Sequence, residues 1–278
     1  MSSELPIEDL KKQASLIRQS IVSMLATAGS GHTAGPLGMA DVFTLLYFYK
    51  LRHNPKDTLW PKRDRLVLSN GHICPVQYAC MAHAGYFPID ELQTLRKFGS
   101  RLQGHPHREF LPGIEASSGP LGSGLSQTIG MALAERIDDA GSDKTFYCLM
   151  GDGEINEGQV WEAALHGGKE RLHNIVAIID RNDIQIDGFT HDVMPLEPLK
   201  SKWESFGWHT QEVDGHDFVA LSEAIDIAKD TIDRPSMIIA KTIPGKGVKD
   251  WEGKPEWHGK PPSKDEAKEA IQELIRNT

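Results

Sequence analysis

The sequence holds 278 residues, 39% apolar and 25% charged, enough for one large α/β domain with a substantial core. No apolar stretch approaches the ~20 residues needed to cross a bilayer, and no charged-then-apolar leader opens the sequence. A formal net charge of −9 argues against general nucleic-acid binding. Cys74, Cys80 and Cys148 lack metal-ligand spacing, and so odd and sparse a count reads as reduced thiols in the cytoplasm, with a disulfide to another subunit left open.

Leu10, Ala14, Ile17, Ile21 and Leu25 recur at three- and four-residue intervals and predict an amphipathic first helix. It ends at Gly29-Ser30-Gly31, with His32 on the following turn. A second helix is expected from about Gly38 to Tyr49, a short strand over Arg65–Leu68, and helices around Pro75–His83 and Ile89–Lys97. Residues 99–124 are rich in Gly and Pro and poorly periodic, which in a compact domain marks a functional or disordered loop. A helix over Leu125–Ala140 leads to an apolar strand, Phe146–Met150, that ends abruptly in Gly151-Asp152-Gly153. Val160, Trp161, Ala164 and Leu165 then recur at helical spacing, and a second apolar run, Ile175–Ile179, ends in Asp180-Arg181-Asn182-Asp183. Beyond an irregular stretch with Pro195 and Pro198 come a short helix around Leu199–Phe206, a strand His209–Val213, a helix Asp217–Lys229 and a strand Ser236–Thr242. Residues 244–262 read as another functional or mobile loop, and Lys264–Arg276 as the last helix. Strands alternating with helices predict a doubly wound, mostly parallel sheet with helices on both faces, residues 1–278 forming one domain.

Two strand ends thus bring Asp152 and Asn182 to one rim, where open α/β sheets bind ligands. A hard divalent cation takes oxygen ligands, and Mg²⁺ commonly uses one or two protein oxygens plus substrate phosphates. Asp152 offers a charged oxygen, Asn182 a neutral one, and the backbone carbonyl of Ile184 a third. Gly151 and Gly153 allow a phosphate to approach the backbone, and the helix start behind them favours an anion. Two strand-end turns without a ligand are the plainer alternative for either motif alone; their pairing favours a metal–diphosphate site. A diphosphate beside Asp152 needs that cation, since like charges ~4 Å apart repel by roughly 4 kcal/mol at an effective dielectric near 20.

Of the twelve histidines, His53, His83, His173, His191, His209 and His216 sit in contexts that suggest surface or locally satisfied groups. His32, His72, His105 and His258 each lie beside glycine on a predicted loop, where an imidazole can meet a phosphate or hydroxyl. Imidazole serves as general acid or base near neutrality.

Gly-Asp-Gly followed, after a helix and a strand, by an asparagine turn resembles the thiamine diphosphate (TPP) fingerprint. Further segments resemble transketolases in particular: S-G-H-T-A-G-P-L-G-M-A at Ser30–Ala40, R-D-R-L-V-L-S-N-G-H at Arg63–His72, G-H-P at Gly104–Pro106, G-P-L-G at Gly119–Gly122 and W-H-G at Trp257–Gly259. The resemblance covers nearly the whole sequence but only the front part of a transketolase. It implies that His32 and His105 line the donor-sugar channel, that His72 contacts the cofactor diphosphate and the substrate path, and that His258 approaches the diphosphate and the reaction centre. It also implies that Gly119 and Leu121 wall the aminopyrimidine and that Glu157 sits at a subunit boundary. A plain turn at Gly119–Gly122 and an ordinary first-turn helix glutamate are the competing readings. His107 competes with His105, because the segment after G-H-P differs in length from some family members, though the G-H-P match favours His105. T-A-G-P also stands where P-G-A-P is commoner. Lys246, in a Pro-Gly-Lys-Gly turn, reads as a solvated loop lysine.

The resemblance implies TPP with Mg²⁺ (or Ca²⁺) as cofactors. The pyrimidine-binding and C-terminal domains are then expected on a separate partner subunit, in an α2β2 heterotetramer acting on ketose and aldose phosphates. Alternatives are another two-chain TPP enzyme (1-deoxyxylulose-phosphate synthase-like, or the α subunit of a 2-oxo acid dehydrogenase) or a non-catalytic TPP-binding subunit. The combined histidine motifs favour transketolase.

Overall fold

A computed structural model describes residues 6–277. In chain order the elements are α1 (Ile7–Ala28), α2 (Ala34–Gly38), α3 (Ala40–Leu45), β1 (Arg65–Leu68), α4 (Cys74–His83), α5 (Ser123–Asp138), β2 (Phe146–Gly151), α6 (Gly158–Glu170), β3 (Ile175–Arg181), β4 (Ile184–Gln185), β5 (Gly188–Phe189), α7 (Thr190–Val193), α8 (Leu199–Ser205), β6 (His209–Asp214), α9 (Phe218–Asp230), β7 (Ser236–Lys241) and α10 (Lys264–Arg276). Five strands form one sheet in the order β1-β2-β3-β7-β6, every neighbouring pair parallel. This is the doubly wound α/β architecture that the alternation of elements predicts.

The central strands β2, β3 and β7 are largely apolar because both faces are covered, whereas the edge strand β6 is polar and half-exposed; alternate side chains of the central strands serve different cores. Tyr147, Leu149, Val176, Ile178, Ile238 and Ala240 join α1, α3, α4, α9 and α10 on one face. Phe146, Cys148, Met150, Ile175, Ala177, Ile179, Met237 and Ile239 join α5, α6 and α8 on the other. All three cysteines are free and buried, which leaves none at the surface to bridge a partner.

Three local predictions need correction. The helix expected over Gly38–Tyr49 begins earlier, at Ala34, and is interrupted at Met39. Gly38 faces the Ile243 carbonyl, 3.0 Å from where a Cβ would stand, so the backbones touch here. The far end, Leu46–Lys50, is a π turn closed by Leu51 N–H to the Leu46 carbonyl at 2.7 Å. The segment Ile89–Lys97 is a 3₁₀ helix only to Thr94. Leu92 is its buried position, and the chain leaves the helix at Leu95, which is buried in turn. Finally, the irregular stretch after Asn182 opens with a small antiparallel hairpin, β4–β5, with Ile186 and Asp187 at its tip.

A buried ion pair ties the ends of the fold together. Arg18 of α1 donates to both carboxylate oxygens of Asp41 on α3, at 2.9 and 2.7 Å, and its Nε donates to the Leu37 carbonyl. His216, after β6, accepts from the Ile243 N–H at Nε2, so its Nδ1–H is the atom that donates to Asp41 at 2.7 Å. Burial alone would raise the Asp41 carboxyl, but the Arg18 charge and these hydrogen bonds hold it below the ordinary carboxylate value.

Candidate active site

The carboxyl ends of β2 and β3 open onto a cavity of about 380 Å³, of the size that takes a small cofactor. Asp152 and Asn182 both line it, together with Gly151, Gly153, Ile184, Gly119 and Leu121. His32, His72, His105 and His258 line it as well, from four segments far apart in the sequence. His107 instead stacks on Phe110, with ring centroids 4.3 Å apart, and is not among the lining residues. Glu157 is exposed, stands at the N-cap position of α6 without a side-chain cap hydrogen bond and packs against Gly122, outside the lining; Lys246 also lies outside it, 3.9 Å from Glu252.

Two loops are stitched together to form the histidine end. Thr33 Oγ1 donates to the Lys260 carbonyl at 2.6 Å, and Gly245 N–H donates to the Ala34 carbonyl at 2.9 Å. The loop carrying His258 is thereby fastened at both ends to the segment carrying His32. His32, His72 and His258 form a triangle with ring centroids 4.8, 5.4 and 5.5 Å apart. Burial, with the neighbouring imidazoles, lowers His72 to about 3 and His32 to about 4. Burial also lowers His105 and His258. The cluster is therefore neutral at physiological pH, so each ring offers one donor and one acceptor. The buried Nδ1 atoms of His32 and His258 lack partners among the described residues.

At the other end, Asp152 is almost fully buried. Its Oδ1 accepts from Gly153 N–H at 2.8 Å, and its Oδ2 accepts from Asp183 N–H at 2.7 Å and from Arg181 Nη1 at 3.0 Å. Asn182 Oδ1 accepts from Ile184 N–H at 3.0 Å, and its amide donates to Asp180 Oδ2 at 2.8 Å. Burial raises Asp152 to about 6; burial and then the Asp152 charge raise Asp180 to about 7. Two buried carboxyl groups that resist ionising together make a place where positive charge is welcome, and the Arg181 guanidinium already supplies some of it to Asp152. Among the described residues no three His, Cys, Asp or Glu side chains cluster for a metal. The oxygen set expected here uses only one such side chain, Asp152, with an amide and a main-chain carbonyl, which suits a hard ion that keeps phosphate or water ligands. Gly153 has Gln185 Cβ 3.2 Å from its would-be Cβ, and Gly119 adopts φ +150° facing His105, so both positions keep the backbone bare at the cavity.

Several contributing residues carry little signal in the sequence. Glu154 is buried, and its carboxylate accepts from Ser69 Oγ, Gly122 N–H and Gly151 N–H. It fastens the start of α5 to the Asp152 turn, and burial raises it. Asp180 orients the Asn182 amide and is itself hydrogen-bonded by Thr242. Only adjacency to Gly-Asp-Gly and to Asn182 hints at either. His53, His83 and His216 are locally satisfied, as expected.

With this geometry in view, comparison with known proteins is specific. Residues 10–277 match the family model described as transketolase, thiamine diphosphate binding domain. The chain is 43% identical to a 6-deoxy-6-sulfo-D-fructose transketolase subunit of Clostridium sp. (strain MSTE9), covering 96% of each chain. It is 40% identical to one of the subunits of an apulose-4-phosphate transketolase from Actinobacillus succinogenes, covering 97% of each. A solved transketolase from Leishmania mexicana superposes with a TM-score of 0.92 at 34% identity. That match covers 96% of this chain but 41% of the other, so the chain spans about two fifths of that relative.

Proposed function

The chain belongs to the transketolase family, as its thiamine diphosphate-binding domain, and from that premise we propose that it is the diphosphate-binding subunit of a two-chain transketolase. It transfers a two-carbon ketol unit from a ketose donor to an aldose acceptor, in concert with a partner subunit. The observation that carries this reading is one cavity with an ion-and-diphosphate end, Asp152 and Asn182, and a sugar end, the four histidines.

TPP, when bound, supplies the carbanion-stabilising chemistry that the amino-acid side chains lack. Asp152, the Asn182 amide and the Ile184 carbonyl hold Mg²⁺ (or Ca²⁺), and Gly151 and Gly153 admit the diphosphate. Gly119 and Leu121 wall the pyrimidine side. His72 and His258 face both the diphosphate and the sugar path; His32 and His105 bind donor hydroxyls and accept or return a hydroxyl proton. Both rings are neutral and so can take that proton without first losing one, and burial, which disfavours the imidazolium, makes them return it readily. Glu157, exposed beside Gly122, belongs to the contact with the partner.

The partner supplies the pyrimidine-binding and C-terminal domains, including the carboxylate that activates the cofactor, in an α2β2 assembly in the cytoplasm. Two relatives are named for ketoses ending in a sulfonate or a phosphate, which supports a donor with an anionic terminus. The decisive substitution is Asp152→Ala. The complex carrying it should lose ion-dependent TPP retention and fall at least a hundredfold in ketol transfer, while the fold seen by circular dichroism persists. Unchanged TPP retention would sink the assignment of the ion site.

A further inference from the structure

We propose that Arg181 is a resident counter-ion for Asp152 that keeps a bare divalent cation out, so that the ion enters only together with the diphosphate. This rests on the ion site proposed above. Arg181 is the last residue of β3, and its guanidinium is held in place on several sides. Its Nη1 donates to Asp152 Oδ2 and to Thr190 Oγ1, each at 3.0 Å, and its Nη2 donates to Glu197 Oε1 at 3.2 Å. Asp183 forms a further ion pair with it. Glu197 is anchored in turn by the Leu199 N–H at 2.8 Å.

The acceptor capacity of Asp152 decides how an ion can join. A carboxylate has about four acceptor positions. Gly153 N–H, Asp183 N–H and Arg181 take three. One remains, so a cation can bind Asp152 without expelling the guanidinium, and it then sits beside a fixed positive charge. The Asp183 and Glu197 side chains are 60% and 62% exposed, so water screens them, whereas that of Asp152 is 2% exposed and its interactions are not screened. A bare divalent ion is therefore repelled by Arg181 and attracted only by Asp152, already compensated, and by Asp180, whose two oxygens are engaged by Thr242 and Asn182. An ion accompanied by a diphosphate carries no net positive charge, and Arg181 tolerates or attracts it. Discrimination follows from the sign of what arrives.

The test is calorimetric titration of the full chain, in complex with its partner subunit, with Mg²⁺ alone and with Mg²⁺ in the presence of saturating TPP. Wild type should bind bare Mg²⁺ at least a hundredfold more weakly than Mg²⁺ with TPP. Arg181→Gln should tighten bare Mg²⁺ binding at least tenfold, and Arg181→Lys, which keeps the charge, should retain the exclusion. Wild-type affinities within tenfold of each other overturn the proposal even if Arg181→Gln fails to fold. So does a folded Arg181→Gln that binds bare Mg²⁺ no more tightly than wild type. Asp152→Ala separates the two ideas. If it leaves TPP-dependent Mg²⁺ uptake intact, the ion site itself is misplaced; if it abolishes uptake while Arg181→Gln changes nothing, only the gating role fails.

Discussion

At the scale of single residues, the histidine cluster is defined by what burial does to its protons. The unfolded chain takes up a proton on His72 near the ordinary imidazole value of 6.5, whereas the folded protein refuses it until about 3. Stability from this group is therefore fully present above pH 6.5 and is lost as pH falls toward 3. Asp152 and Asp180, raised to about 6 and 7, act in the opposite sense, because the folded state takes their protons first. A difference measurement isolates His72. Between pH 6.5 and 4, His72→Asn should flatten the acid-side loss of stability by up to about 1.4 kcal/mol per pH unit, the value of one proton. Chemical denaturation at several pH values reads this directly. In NMR titrations the ring resonances of His72 and His32 should stay those of neutral imidazole down to pH 5, and a midpoint above 6 for His72 would contradict the burial argument.

Elements place these residues through their ends. β2 and β3 deliver Asp152 and Asn182 because each apolar run stops at the same rim, in register from Phe146 against Ile175 to Gly151 against Asp180. The loop after β7 is longer and carries His258 only because backbone and Thr33 hydrogen bonds pin it. The last helix has its own stop and start signals. Ser263 accepts from Glu266 N–H at 3.2 Å while Glu266 accepts from Ser263 N–H at 2.7 Å, a reciprocal cap. Ser263→Ala should cost about 1 kcal/mol in urea unfolding, leaving ion and TPP binding unaltered. An equal loss in ligand affinity would mean that α10 reaches the site, which the geometry does not suggest.

Across the whole molecule, the Arg18–Asp41–His216 network joins α1, α3 and the segments after β6 and β7 around buried charges. Removing one partner strands the other charge without water. Arg18→Met should thus destabilise by about 3–5 kcal/mol, measured by thermal or denaturant unfolding. The active assembly is a property of two chains in the proposed reading. Purified alone, this chain should show no ketol transfer above background, and adding the partner polypeptide should restore it. Robust transfer by the chain alone would refute the divided active site.

Much of this protein is legible in its residues taken in order, and the reason is local. Apolar runs ending in Gly-Asp-Gly and Asp-Arg-Asn, helical repeats such as Leu10 to Leu25, and glycine beside His32, His72, His105 and His258 are short-range patterns, and strand, helix and exposed loop depend on short-range physics. Those patterns reach the parallel sheet, the Asp152–Asn182 rim and the four histidines. They do not reach the broken helix at Met39, the clasp made by Glu154, or the Arg181–Asp152 contact. Each of those depends on which distant backbone or charge arrives alongside: the Ile243 carbonyl at Gly38, the Gly122 N–H at Glu154, the end of β3 beside the end of β2. Proximity of that kind exists only after the chain has closed on itself, and with it come the desolvation and lost screening that make a histidine neutral and a buried carboxylate in want of a counter-charge.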